Sequence, residues 1–476
     1  MLNIGNRREC FWDDYLINEK ETTAQFRVHE PVRRELVLKM DAPWDGDGND
    51  YFNFFYDDKA NIYRMYYLAW KMLKGLPIVV CYAESKDCIH WETPELGICE
   101  FEGSKANNII VDKEMVGAID NFMVFRDDNP ACPAQERYKG IMVHYENNRK
   151  SLHAMFSPDG IHFNAGCEIT DQGYFDSLNV VFWDGEAGLY RGYIRDFHEK
   201  DNPAERGDLA KSVRDIRYIE SKDFKTWTDP VLLDFRGGED IPLYTNNVMP
   251  YPRAPHIYVG TPSRYIERKE WNGSFEELGG KEKRLERMKH QQRYGLTVTD
   301  CVFMCSRDGK SFTRHDEAFL RPRPENQRNW TYGDCYPARG FAITPSETEG
   351  ADPELSLLMP EDSHWLGEHT ELYRYTIRCD GFVSLHAGGK EEKILTREFV
   401  YDGSELYINF ATSAYGYVYF ALIAENGERV ESCETFGNSI DRRVAFPDGA
   451  VASLAGKPVA LETRLRDGDI YSMQFR

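Results

Sequence analysis

A chain of 476 residues outgrows a single hydrophobic core, so two domains are expected, one large and one small. Its 79 acidic against 58 basic side chains give a formal charge of -21. That balance repels phosphate backbones and anionic lipid, and it excludes nucleic acid and membrane as expected partners.

The opening residues, MLNIGNRRECFWDDYL, carry no apolar core of about 7 to 15 residues after their basic pair, and no later run approaches the roughly 20 apolar residues that span a bilayer. The eleven cysteines are scattered, with no CxxC and no zinc-site or disulfide spacing. Cys301 and Cys305, the closest pair, fall on one face of an apparent strand and read as reduced core thiols. A cytoplasmic protein is therefore expected. From Phe11 to Ile17 the chain offers a strand or clasp for a terminal blade.

A motif then recurs four times: a Tyr-rich apolar run, a Ser-x-Asp turn, and an aromatic followed by a polar break. It reads AESKDCIHWETP from Ala83, FSPDGIHFNAG from Phe156, ESKDFKTWTDP from Glu220 and CSRDGKSFTRHD from Cys305. The aromatics Trp91, Phe163, Trp227 and Phe312 lie 72, 64 and 85 residues apart. Repeats longer than about 40 residues, each of several strands, mark a propeller. In the first unit the strands are Tyr51 to Tyr56, Ile62 to Trp70, Ile78 to Ser85 and a short one at His90 to Trp91. The Ser-x-Asp segment makes the turn between third and fourth strands and is assigned no chemistry. KEKRLERMKHQQ, within Gly280 to Gln292, is rich in helix formers and inserts one helix into the fourth unit.

A fifth, more divergent unit runs through Cys335 to Ile343, Leu355 to Met359, Leu372 to Ile377 and Phe382 to Leu385. Residues 1–388 are thus predicted as a five-bladed β-propeller. After Gly389 a plain alternation follows, through Leu406, Ile408 and Phe410, then Val418, Phe420 and Leu422. It predicts a β-sandwich over residues 389–476, which makes the whole chain all-β.

In a propeller the first strand of each blade lines the central channel, and its start, with the loop between second and third strands, forms one rim. That register places Asp50, Asp120, Asp176, Asn246 and Asp334 around one mouth. Any one of these alone reads as an ordinary strand-start residue. Together, converging carboxylates raise one another's pKa, which costs stability and supplies both an ionised and a protonated carboxyl. The rim loops add Trp70 and Lys71; His144, Tyr145 and Glu146; Arg195, Asp196 and His198; Arg264 and Glu267; and Glu361, Asp362 and His364. Arg195 and Arg264 are placed either to clamp an anionic ligand group or to neutralise the acidic ring. Two long loops, about Asp196 to Asp215 and Pro262 to Asp300, read as binding elements. GxGxxG, P-loop, HExxH and GxSxG motifs are absent, so no cofactor and no metal is expected.

These residues resemble the five-bladed β-propeller glycoside hydrolases, the group that includes the arabinanase and β-xylosidase family 43 and the invertase-like family 32. The resemblance spans the whole chain at the level of organisation. It implies a base or nucleophile at Asp50, an orienting aspartate at Asp120 and an acid from a later blade. The invertase-type Trp-Met-Asn-Asp-Pro and Arg-Asp-Pro segments are absent, and Asp176 stands where a Glu is expected, so Asp176, Glu146 and Glu361 compete as the acid. The expected activity is removal of a terminal sugar from an oligosaccharide or glycoside by carboxylate acid/base chemistry. Phosphorolysis with inorganic phosphate and non-catalytic sugar binding are the alternatives.

Overall fold

The structure is a computed structural model that describes every residue except 71–77, 118, 147–148, 201, 203–211 and 324–326. Turn chemistry sets its repeat. In the four Ser-x-Asp segments the hydroxyls of Ser85, Ser157, Ser221 and Ser306 lie 3.0–3.1 Å from the Oδ1 of the aspartate two residues on. That oxygen also accepts two main-chain N–H bonds, as Asp87 does from Ile89 and His90. The next residue, Cys88, Gly160, Phe224 or Gly309, turns left-handed, and the chain reverses into the outer strand.

Five sheets result. The first contains Gly48–Asp57, Ile62–Trp70, Val79–Ser85 and Trp91–Glu92, with Ile109–Val111 added on its third strand. The second contains Ile119–Arg126, Tyr138–Glu146, Arg149–Ser157 and Asn164–Thr170, and the third Val180–Asp184, Leu189–Glu199, Ser212–Ser221 and Val231–Leu232. In the fourth, Met249–Tyr251 is followed by a second strand split into Ala254–Gly260 and Ser263–Glu267, then Thr297–Ser306 and Phe312–Leu320. The helix Lys281–His290 lies in the expected insertion.

The fifth sheet contains Ala342–Thr344, Glu354–Glu361 and Glu371–Arg378, and it corrects one expectation. Its outer strand is Val32–Lys39, paired antiparallel through Tyr373 to Leu36 and Tyr375 to Arg33. Phe382 to Leu385, expected there, instead falls largely within Val383–Leu395, which pairs with Gln25–Val28 in the C-terminal sheet. A strand from the opposite end of the chain completes the last blade and closes the ring. Nor does Phe11 to Ile17 join a blade: Phe11 N–H bonds the Tyr471 carbonyl and Ile17 bridges Thr396.

Neighbouring blades are tied at two radii. Near the axis, the Asn53 amide donates to the Phe122 carbonyl, Asn121 to Phe175, Asn246 to Leu178 and Asn247 to Pro337, while Phe54 and Arg339 close fifth blade to first. Farther out a three-part staple repeats. Asp57 accepts from Arg64 of its own blade and Tyr138 of the next. Asp184 does the same with Arg191 and Tyr258, and Asp127 pairs with Lys139 and Tyr190. Buried charges are thereby paired within a blade and hydrogen-bonded across to its neighbour.

The C-terminal sheet has nine strands, among them Leu2–Gly5, Arg8–Cys10 and Gln25–Val28 from the chain's start. Its longest members, Leu406–Ala424 and Val459–Phe475, shift register between Thr412 and Tyr417. Leu406, Ile408 and Phe410 before the shift, and Val418, Phe420 and Leu422 after it, bury into one core, so the sheet folds over itself as a sandwich does. Asp380 locks it to the propeller, accepting bonds from Arg8, Tyr251, Arg253, Asn409 and Ser472.

Candidate active site

The rim register has a backbone signature. Tyr51, Asn121, Asn247 and Cys335, the residues after Asp50, Asp120, Asn246 and Asp334, take left-handed φ of 53–57°. Register slips there in the first two blades, between Asp50 and Asn53 and between Asp120 and Phe122. A bulge of this kind re-aims the preceding side chain. Left-handed non-glycine residues cost of order 1 kcal/mol or more each, and such strain clusters at functional sites.

Asp50 is 1% exposed. Its Oδ2 lies 2.8 Å from Nε2 of His364, and its Oδ1 3.2 Å from the Ser363 hydroxyl. Both partners sit on a loop, Asp362 to His364, that is left-handed at Asp362 (φ 58°) and His364 (φ 62°). Trp70 and Tyr332 flank the imidazole, each with its ring centroid 5.3 Å away and Tyr332 stacked. Gly333 makes room for it: at φ 97° a Cβ here would collide with Nδ1 of His364. Asp334 lies behind, its Oδ1 accepting the Ser363 N–H at 3.2 Å. Burial, then the charge of Asp362, pushes the Asp334 carboxyl far above the usual carboxylate range.

Asp120 accepts the Tyr145 hydroxyl at 2.8 Å. Its pKa is pushed up to about 6, first by burial and then by the charge of Asp176, against the opposing pull of Tyr145, Lys150 and Arg195. Asp176 also acts on Tyr51, Tyr244 and Tyr332, and Asp50 acts on Tyr51 too. The Tyr244 hydroxyl lies 3.1 Å from that of Tyr51 and 3.5 Å from that of Tyr332. A tyrosine cluster therefore joins the carboxylates of the first three blades, its hydroxyls kept protonated by burial.

The other predicted residues separate. Arg195 reaches this cluster, its guanidinium 5.5 Å from the Tyr244 ring. Asn246 is spent on the carbonyls of Leu178 and Tyr193. Glu361 is buried but held by Arg33 at 2.8 Å and by Tyr375 at 2.7 Å, and Arg264 is tied bidentately to Asp300. Glu146 is exposed at a hairpin end. His144 stands by His153, ring centroids 4.8 Å apart. Lys71 lies outside the described residues. Asp196 pairs in register with Asp215, so the strands run on where a loop was expected. Reading the sequence alone missed Ser363, Arg214 and the tyrosines Tyr51, Tyr244 and Tyr332. Tyr244, two residues before Asn246, was within reach of the blade register.

A cavity of about 420 Å³ follows the same two segments away from Asp50, lined by Gly46, Asp47, Glu286, Gly367, Glu368 and His369. Among the described residues no group of three or more His, Cys, Asp or Glu is placed to hold a metal ion, and no helix is long and apolar enough to cross a membrane.

No protein-family model and no curated protein sequence matches the chain. Similar solved structures include a glycoside hydrolase at 12% identity, covering 73% of this chain and 92% of that one with a TM-score of 0.45. A fructofuranosidase from Schwanniomyces occidentalis is 11% identical, covering 95% and 98% with a TM-score of 0.42. A structure from the GH130 family of mannoside phosphorylases is 11% identical, covering 74% and 96% with a TM-score of 0.44. At such similarity none of these activities passes to this chain, and its function has to be argued from its own side chains.

Proposed function

We propose that the chain is a glycoside hydrolase that removes a terminal sugar, with its chemistry in the cluster of Asp50, Asp120 and Asp176. The observation that carries this reading is the contrast between carboxyl environments. Asp50 is oriented through both oxygens by His364 and Ser363, and each oxygen keeps a lone pair for a water or sugar carbon. Burial, and then the charge of Asp176, lifts the Asp120 pKa to about 6. Two carboxyl groups with separated tasks, one ionised as base or nucleophile and one able to donate to the leaving oxygen, are what glycosidic cleavage requires. The acid is assigned to Asp120, on which the charge of Asp176 acts. Glu361 is held by Arg33 and Tyr375, and Glu146 is exposed at a hairpin end, so neither is favoured.

The tyrosine hydroxyls supply hydrogen bonds for sugar hydroxyls, and Trp70 supplies a flat face. A cytoplasmic setting belongs to the same proposal; the buried thiols of Cys301 and Cys305 support it. The test is sugar release from a panel of aryl glycosides and oligosaccharides. Wild type is expected to release sugar from at least one, and Asp50→Asn to lose roughly 10²- to 10⁴-fold in kcat. Binding of a sugar without cleavage anywhere in the panel would leave the non-catalytic reading in its place.

A further inference from the structure

We propose that Arg195 and Arg214 form an oxyanion subsite beside the carboxylate cluster, so that the molecule bound there carries a carboxylate, sulfate or phosphate group. This rests on the site proposed above but not on its chemistry. Arg195 and Arg214 extend from adjacent strands of the third blade, where Phe197 and Arg214 pair in register. The Arg195 guanidinium lies 4.1 Å from the Phe197 ring and 5.5 Å from that of Tyr244. The Arg214 guanidinium lies 3.7 Å from the Tyr265 ring, 5.5 Å from Phe197 and 6.0 Å from Tyr244. Two cations thus share the faces of the same rings, next to the tyrosine whose hydroxyl reaches Tyr51.

The pair shares with Arg284, Arg287 and Arg339 the lack of a carboxylate partner among the described residues, but it alone of these lies beside the Asp120 cluster. Arg64, Arg191 and Arg264 each bond a carboxylate, at 2.5–2.7 Å. Among the described residues neither Arg195 nor Arg214 does. Arg195, only 4% exposed, gives one N–H to the Tyr174 carbonyl, and the buried Nε of each arginine has no partner. A buried guanidinium such as that of Arg195, which feels the charge of Asp120 but bonds no carboxylate among the described residues, is costly to hold. Stacking on rings fixes each guanidinium plane and leaves its edge donors for a planar or tetrahedral oxyanion. Asp120 and Asp176 repel an anion placed on them, so the anionic group belongs on the arginine side of Tyr244, with the reacting bond toward the carboxylates. The anion has two sources: a substituent on the sugar, such as a uronic acid, or free inorganic phosphate acting as a co-substrate.

Titration calorimetry on the full chain separates them, with glucuronate against glucose, galacturonate against galactose, and inorganic phosphate and sulfate. At least one anionic probe is expected to bind tenfold or more tightly than its neutral counterpart, or, for phosphate and sulfate, to bind measurably. Arg195→Gln or Arg214→Gln should weaken that binding by roughly 10- to 100-fold, the scale of a charge-assisted hydrogen bond. A uronate response places the anion on the sugar, and a phosphate response with glycosyl phosphate as product places it on the co-substrate. Arg214, half-buried and hydrogen-bonded to no described side chain, is the deciding variant if Arg195→Gln melts early. Anion binding that depends on these arginines in a protein that cleaves no glycoside keeps the subsite and removes the hydrolytic reading. Cleavage of neutral glycosides with no preference for any anion, or arginine variants that bind anions as wild type does, overturns the subsite.

Discussion

Nε2 of His364 lies 2.8 Å from Oδ2 of Asp50, joining a residue from the last blade to one from the first across the ring closure. In the proposed mechanism His364 acts through Asp50, fixing the plane of its carboxylate. Its replacement in His364→Ala is expected to lower kcat roughly 10- to 100-fold while KM changes less than threefold, the pattern of lost orientation rather than lost binding. Steady-state kinetics on the best glycoside checks it, and a rise in KM at constant kcat would assign His364 to binding instead.

Gly333 gives an independent handle on the same imidazole. Gly333→Ala puts a methyl group where Nδ1 of His364 sits and forces a side chain onto a φ of 97°. It should lower kcat by about 100-fold, as displacement of a catalytic group by about 1 Å does. Activity equal to wild type would mean that the position of His364 does not matter.

The raised pKa of Asp120 is also a statement about stability. Its folded value, about 6, lies above its ordinary 3.8, so the folded state holds the proton more tightly than the unfolded chain. The stabilising contribution is full below about pH 4 and is lost as pH rises to about 6, by at most about 3 kcal/mol. Asp120→Asn should therefore raise Tm relative to wild type at pH 7.5 but not at pH 4. Asp45, also pushed up to about 6 by burial, titrates in the same window, so the difference between variant and wild type is the quantity to measure. The same variant should lose activity, and wild-type kcat/KM should fall as pH rises above about 6, where Asp120 loses its proton.

The blade staples predict a loss of stability without a loss of chemistry. Asp127 and Lys139 are 0% and 1% exposed and 2.8 Å apart. Asp127→Asn leaves the buried ammonium with Glu136 alone, 3.5 Å away, as its counter-charge, which costs up to about 3–5 kcal/mol. Denaturant unfolding should show that loss, with kcat per folded molecule close to wild type.

Radial repetition was legible in the sequence because each blade repeats a turn whose Ser and Asp must stand two residues apart to bond the same main chain. Asp50, Asp120 and Asp176 are expected at the channel from the starts of the first strands rather than from that turn, since their distances to the next Ser-x-Asp serine, 35, 37 and 45 residues, are not fixed. Ring closure could not be read: Val32–Lys39 and Phe382 to Leu385 both read as amphipathic strands, and only their pairing across more than three hundred residues separates their roles. For three other rim residues the partner decides the role. Whether Arg264, Glu361 and Asn246 face a ligand or a partner depends on Asp300, Arg33 and the Leu178 carbonyl, which no local pattern announces. Arg214 was hidden because strand pairing continues to Ser212, where the polar sequence reads as loop.

The central claim is that carboxylates from three blades act as one catalytic unit, and the direct measurement is kcat for Asp50→Asn, Asp176→Asn and the double variant on the same glycoside. Groups acting in one step are non-additive, so each single variant should lose at least about 10²-fold and the double variant should be no worse than the poorer single by more than about threefold. Losses that multiply, or a single variant as active as wild type, would contradict the account.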